Sequence, residues 1–158
     1  MNRLEISISV NDNGWPGEAG LLALCERAVS AAAASAGLDW PDGAELSLLF
    51  TSDAEMAVIN GEWRDKPVAT NVLSFPGGDV QVGEPAGPVL GDLVFARETV
   101  EREAAEQEKS FEDHLTHLAV HGFLHLFGYD HIDDDEAEEM EEIERQTLSG
   151  LGIADPYA

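Results

Sequence analysis

His121, His125 and His131 stand four and then six residues apart in the stretch 114–131, HLTHLAVHGFLHLFGYDH. On a helix, positions i and i+4 share one face about one turn apart, so the first two imidazoles project side by side. Gly128 can end that helix in a left-handed conformation, after which the returning chain carries His131 to the same point. Two imidazoles from a rigid helix and one from a loop make a facial three-nitrogen site with an open fourth position. That is the arrangement of a catalytic zinc rather than of a closed structural one. A lone histidine in an apolar helix is more often a satisfied core residue, but three at ligand spacing around a glycine bend indicate a metal site.

The spacing matches the long metzincin pattern H-E-x-x-H-x-x-G-x-x-H with one difference that decides the chemistry. Gly122 follows the first histidine, where those proteases carry their general-base glutamate. A peptidase of that mechanism is disfavoured, and the small residue is expected to leave room beside the ion. His117, at i−4 from His121, is a candidate hydrogen-bonding partner behind the ligands or a fourth nitrogen, and His114 is an equal candidate for a direct role. Asp130 either orients a ligand imidazole or is an exposed turn aspartate.

The elements that must position these residues follow from periodicity. Leu4, Ile6, Ile8 and Val10 alternate with polar residues as in a half-buried strand. Residues 18–36 are rich in alanine and leucine and predict a helix stopped by Gly37. Residues 44–50 predict a second strand. Ser52 with Glu55 forms a capping box for a short helix ending near Asn60, followed by a polar loop from Gly61 to Thr70. Residues 71–75 and 89–96 predict two more strands. Helices are expected over 97–108, over 111–127 as the buried central one, and from a cap at Asp133 to about Ser149. Strands early and helices late predict one α+β domain over residues 1–158, one layer packed on another.

The 158 residues are enough for one domain with a sizeable core. No run approaches the ~18 apolar residues of a membrane span, and the first ten residues lack the pattern of a secretory signal. Cys25 is the one cysteine and stands in an apolar stretch, as a buried thiol does. These features point to the cytoplasm and to no membrane partner. Thirty-two acids against eight bases give a net charge of −24, which disfavours broad nucleic-acid binding. Ten of the acids fall in residues 130–144, read as a solvated face. Five of the bases, Arg64, Lys66, Arg97, Arg102 and Lys109, fall between 64 and 109 and allow a locally basic face.

The segment HGFLHLFGYDH resembles the H-G-x-L-H-L-x-G-Y-D-H motif of the YbeY-type endoribonucleases, the bacterial rRNA maturation factors. RDKPVATNVLSFP, from Arg64 to Pro76, is similar to that family's arginine followed by T-[DN]-V-L-S-F-P. Gly91-Asp92-Leu93 and the ending GIADPY are similar as well, so the resemblance spans about residues 45–157. Val68-Ala69 departs mildly from a more polar pair. The resemblance implies an α+β fold with a small mixed four-stranded sheet packed against helices, one of them a zincin-like metal helix. It implies one Zn2+ per chain on His121, His125 and His131. It also implies cleavage of single-stranded RNA, linked to maturation of the 3′ end of 16S rRNA and to ribosome quality control. Arg64 holds the place of that family's functionally important arginine, so Arg64 and His121 are the expected catalytic residues.

In such a site the ion lowers the pKa of its water toward ~7 and polarises a phosphoryl oxygen, while Arg64 contacts the scissile phosphate. Ser74 and Asn71 are weaker candidates for polar contacts in the cleft. No general base is identifiable, and the nucleophile is either activated water or the RNA 2′-OH. An acidic protein binds free RNA weakly, which suggests delivery by the small ribosomal subunit or its assembly factors; DNA is not expected as a substrate. The alternatives are a different metallohydrolase, or a non-catalytic ribosome-assembly factor in which the ion clips the C-terminal segment onto the domain.

Overall fold

The computed structural model describes residues 2–157. Its elements run β1 (Leu4–Val10), α1 (Glu18–Ala36), β2 (Ala44–Thr51), α2 (Asp53–Arg64), β3 (Val72–Pro76), β4 (Val89–Ala96), α3 (Arg97–Glu106), α4 (Phe111–Leu126) and α5 (Asp134–Gly150). The α+β expectation holds. The sheet is four-stranded and mixed, in the order β1-β2-β4-β3. β1–β2 and β2–β4 pair in parallel, and the edge strand β3 runs antiparallel to β4.

Alternation along the strands gives the sheet two different faces. Leu46, Leu48 and Phe50 of β2 and Leu93 and Phe95 of β4 enter the main core. There Phe50 and Phe95 stack with ring centroids 4.9 Å apart, and Trp15 meets Phe50 edge-on. α1 and α4 cover this face, and α5 packs on both helices through Met140 and Leu148. Burying each such large side chain contributes ~1.5–3 kcal/mol against chain entropy. α1 is, by length and composition, a helix apolar enough to cross a bilayer, although no continuous apolar run of that length is present in it. It carries Glu26 and Arg27 at its middle and sends Leu21, Leu24, Cys25, Ala28, Val29, Ala32 and Ala33 into the core.

The opposite face holds a smaller cluster of Met56, Leu73, Val94 and Ala96 with Ile59 and Phe75 packed against it. α2 supplies Met56 and Ile59, so the sheet is partly covered on its second face too, rather than forming one layer on one layer. α2 also runs four residues past Asn60, where a polar loop was expected. Gly61 allows this: a Cβ there would come within 3.2 Å of the Pro67 side chain. The Asn60 side chain donates to Val68 O at 2.9 Å, and Asp65 closes the helix with a left-handed φ of 58°. Arg64 therefore projects from a helical turn and not from a loop. α3 ends at Glu106, two residues early, because Glu108 turns the chain with φ 55°.

Two devices fix the helices against the site. Asp53 at the start of α2 accepts from Thr99 N at 3.0 Å and Thr99 Oγ1 at 2.9 Å, while Glu98 accepts from Asp53 N at 3.0 Å. α3 has no side-chain cap of its own, so Asp53 satisfies one of its free N–H groups. Ser110 caps α4 by accepting from Asp113 N at 3.1 Å.

Candidate active site

α4 is buried along most of its length between α1, α3, α5 and the sheet, and this fixes the side chains it presents. His121 and His125 leave it one turn apart, with their Nε2 atoms 3.1 Å from each other. After α4 the chain turns at Gly128, whose φ is 94° and whose missing Cβ would lie 2.6 Å from Val80 O. Only glycine satisfies both the conformation and the close approach. The turn returns His131, and ligand-capable atoms of His121, His125 and His131 all lie within 4.8 Å of one another. Two nitrogens bound at ~2.0–2.1 Å to one tetrahedral ion would stand roughly 3.3 Å apart, so the donor set fits a small, borderline-soft divalent cation. Burial, followed by the neighbouring His121, lowers the His125 imidazole to about 4, which leaves its lone pair free at neutral pH.

Behind these ligands stands a residue that the sequence reading placed in the solvated acidic run. Glu144 of α5 is 0% exposed. It accepts from His121 Nδ1 at 3.0 Å, from His117 Nε2 at 2.5 Å and from the Tyr157 hydroxyl at 2.8 Å. Burial alone would raise its pKa, but the bonds from His117 and His121 outweigh it and hold the carboxyl at about 2. A carboxylate on Nδ1 keeps the proton there and turns the Nε2 lone pair of His121 toward His125. His117 thus joins the carboxylate behind the ligands and does not supply a fourth nitrogen. His114, 3% exposed, pairs with Glu103 at 2.9 Å and takes no direct part.

The three imidazoles border a cleft of about 760 Å³ whose lining also includes Arg64, Lys66 and Ser74. Arg64 reaches over the β3 edge and donates from Nη2 to Ser74 O at 3.2 Å. The weaker candidates are engaged elsewhere. Ser74 donates its hydroxyl to Gly122 O at 3.0 Å. Asn71 accepts from Val72 N at 2.7 Å and donates to Glu103 at 2.9 Å, which ties β3 to α3. Asp130 accepts from the backbone N–H of His131 at 2.8 Å and so shapes the loop that carries it, while its Oδ1 stands 3.8 Å from His131 Nδ1, beyond hydrogen-bond reach. Gly122 faces the sheet and not the three histidines: a Cβ there would meet Leu93 Cδ2 at 3.0 Å, Ser74 Oγ at 3.2 Å and Val72 Cγ2 at 3.3 Å. Its smallness lets α4 lie against β3.

Glu144 was detectable in sequence. Met140, Glu144, Thr147 and Leu148 repeat at helical spacing as the buried stripe of α5, and an acid on such a stripe requires a partner.

The protein has relatives along its whole length. Endoribonuclease YbeY of Rhizobium johnstonii is 59% identical over 162 aligned residues, covering 99% of this chain and 95% of its own. Endoribonuclease YbeY of Agrobacterium fabrum is 55% identical, with 100% of this chain and 97% of its own covered. The solution structure of TM1509 from Thermotoga maritima shares the fold, with a TM-score of 0.56 over 94% of this chain and 91% of that one, at 21% identity. The profile of the family described as Endoribonuclease YbeY matches residues 11–152, a span that takes in α1 and β2 as well as the histidine segment. By its match to that profile and its identity with these relatives, the chain belongs to the endoribonuclease YbeY family.

Proposed function

We propose that this chain is a zinc-dependent endoribonuclease that cuts single-stranded RNA. Its work in the cytoplasm is maturation of the 3′ end of 16S rRNA and ribosome quality control, with the small subunit or its assembly factors bringing the substrate. The observation that carries this reading is the convergence of three imidazole nitrogens within 4.8 Å, in a cleft that also holds Arg64.

His121, His125 and His131 would hold a divalent ion, which would supply Lewis acidity toward a water and a phosphoryl oxygen. The protein supplies the rest. Glu144 holds His121 in one tautomer and orientation. Arg64 offers a planar fork of donors to a phosphate that displaces its bond to Ser74 O, and it stabilises the charge that grows there. Among the described residues Asp130 is the one carboxylate lining the cleft, and its Oδ1 already holds the His131 backbone. Water and the RNA 2′-OH are therefore the two nucleophiles to distinguish. Attack by the 2′-OH leaves a cyclic phosphate and attack by water does not, so analysis of product ends separates them.

The position after His121 carries no glutamate, which argues against a peptidase. The clip reading has little to explain, because α5 and Tyr157 are tied to α4 through Glu144. The test is cleavage of a single-stranded rRNA-like substrate by the wild type and by His121→Ala and Arg64→Ala variants. Cutting by the wild type alone, stopped by a chelator and restored by zinc, is the expected result. Equal cutting by the wild type and His121→Ala would mark a contaminant and remove the enzyme reading.

A further inference from the structure

On the far side of β3 from the histidines lies a hollow of about 450 Å³ that the proposed chemistry leaves unused. Ile59 and Trp63 of α2, Phe75 of β3, Leu49 of β2, and Val94 and Asp92 of β4 line it. Trp63 is 72% exposed, whereas Trp15 and Trp40 are 7% and 3% exposed and donate their indole N–H groups to backbone carbonyls. Its ring meets Phe75 edge-on at 6.2 Å. The next residue, Arg64, holds its guanidinium 5.8 Å from the centroid of the same Phe75 ring and also lines the histidine cleft. The contact between Arg64, on the cleft side, and Phe75, on the hollow side, thus marks the boundary between the two.

We infer that Trp63 and Phe75 form a stacking subsite for one unpaired base of the RNA strand whose phosphate is held at Arg64. The chemistry divides accordingly. The charged residue lining the hollow is Asp92, which repels phosphate, while the apolar walls suit the face of a base. The cation stands at the boundary, where the backbone crosses the β3 edge. A base inside a duplex reaches Trp63 only after unpairing and unstacking, which costs free energy, so this subsite favours single-stranded substrate. It deepens the endoribonuclease reading of the histidine cleft and rests on it.

Because the other two tryptophans are buried, acrylamide quenching of fluorescence reports on Trp63. A short single-stranded RNA added to the full-length His121→Ala protein, which leaves it uncut, should shield Trp63, and the same sequence as a duplex should not. Trp63→Ala should weaken binding roughly ten-fold or more, and in the otherwise wild-type enzyme should raise KM with little change in kcat. Trp63→Phe should restore most of the loss, and an abasic nucleotide in the substrate should cancel the difference between Trp63 and Ala. If RNA is cut and bound in an Arg64-dependent way while Trp63 stays equally quenchable, the subsite is wrong and the nuclease reading stands. The hollow would then belong to another occupant, such as an extended peptide. If RNA is neither cut nor bound, both fall.

Discussion

Glu144 and His125 show how single residues set the working range of the site. The buried carboxylate receives hydrogen bonds from two imidazoles and a phenol, and only one of those imidazoles reaches the ligand cluster. Replacing Glu144 with Gln keeps the volume and removes the charge that fixes the Nδ1 proton of His121. Zinc affinity, read by competition with a chromophoric chelator, should fall about 10–100-fold, the usual cost of losing a carboxylate behind a metal histidine. Unchanged affinity would mean that packing alone orients His121. His125 sets an acid limit. Its folded pKa is lowered from 6.5 to about 4, mainly by burial. Between those values the unfolded chain binds a proton there that the folded chain does not, so stability falls as the pH drops through that window. Urea unfolding of chelated protein between pH 7 and pH 4 should show this loss, and His125→Asn should shrink it. A remainder is expected from His114, which burial shifts in the same direction.

At the scale of elements, the metal helix depends on how closely α4 approaches β3. Gly122 faces that strand and Leu93 of β4, and Ser74 bridges the two elements through Gly122 O. Gly122→Ala places a methyl where three neighbours stand at 3.0–3.3 Å. Overpacking of this kind costs ~1–3 kcal/mol, and the better helix propensity of alanine returns up to ~1 kcal/mol. Chemical denaturation should show a net loss of about 1 kcal/mol, with zinc affinity reduced as α4 tilts from β3. A stabilised variant would mean that the interface has slack. The same contact shows what could be read from the sequence. The spacing of His121, His125, Gly128 and His131 is local, and a helix with a left-handed stop translates it directly into geometry. The orientation of Gly122 is not local: the helical period places it off the ligand face but does not say what lies opposite. The length of α2 was hidden in the same way, since Gly61 is a helix breaker by propensity and a helical residue here because Pro67 packs on it. Glu144 was hidden among ten acids whose other members are mostly exposed, and only the burial stripe of α5 singles it out.

Over the whole molecule the question is how a chain of net charge −24 holds a polyanion. The bases between residues 64 and 109 do not gather into one basic face. Arg97 is bound to Asp12 and Glu101, and Arg102 stands 4.0 Å from both Asp53 and Glu106. Lys109 lines an adjoining hollow that shares Asn71 and His121 with the histidine cleft, and Arg64 and Lys66 are the basic side chains lining the cleft itself. Two phosphate contacts release few counterions. For single-stranded nucleic acid the logarithm of affinity falls with the logarithm of salt at about −0.7 per contact, so a slope near −1.4 is expected. Repulsion from the acidic surface is itself screened by salt and flattens the slope further. Fluorescence polarisation of a short single-stranded RNA between 50 and 200 mM salt measures it, and Arg64→Ala and Lys66→Ala should each remove about half. A slope several times steeper in the isolated protein would place phosphates on a surface outside the cleft. A shallow one, with weak binding throughout, makes a carrier of positive charge necessary for substrate delivery, and adding an RNA-bound basic ribosomal protein should then lower KM far more than it changes kcat.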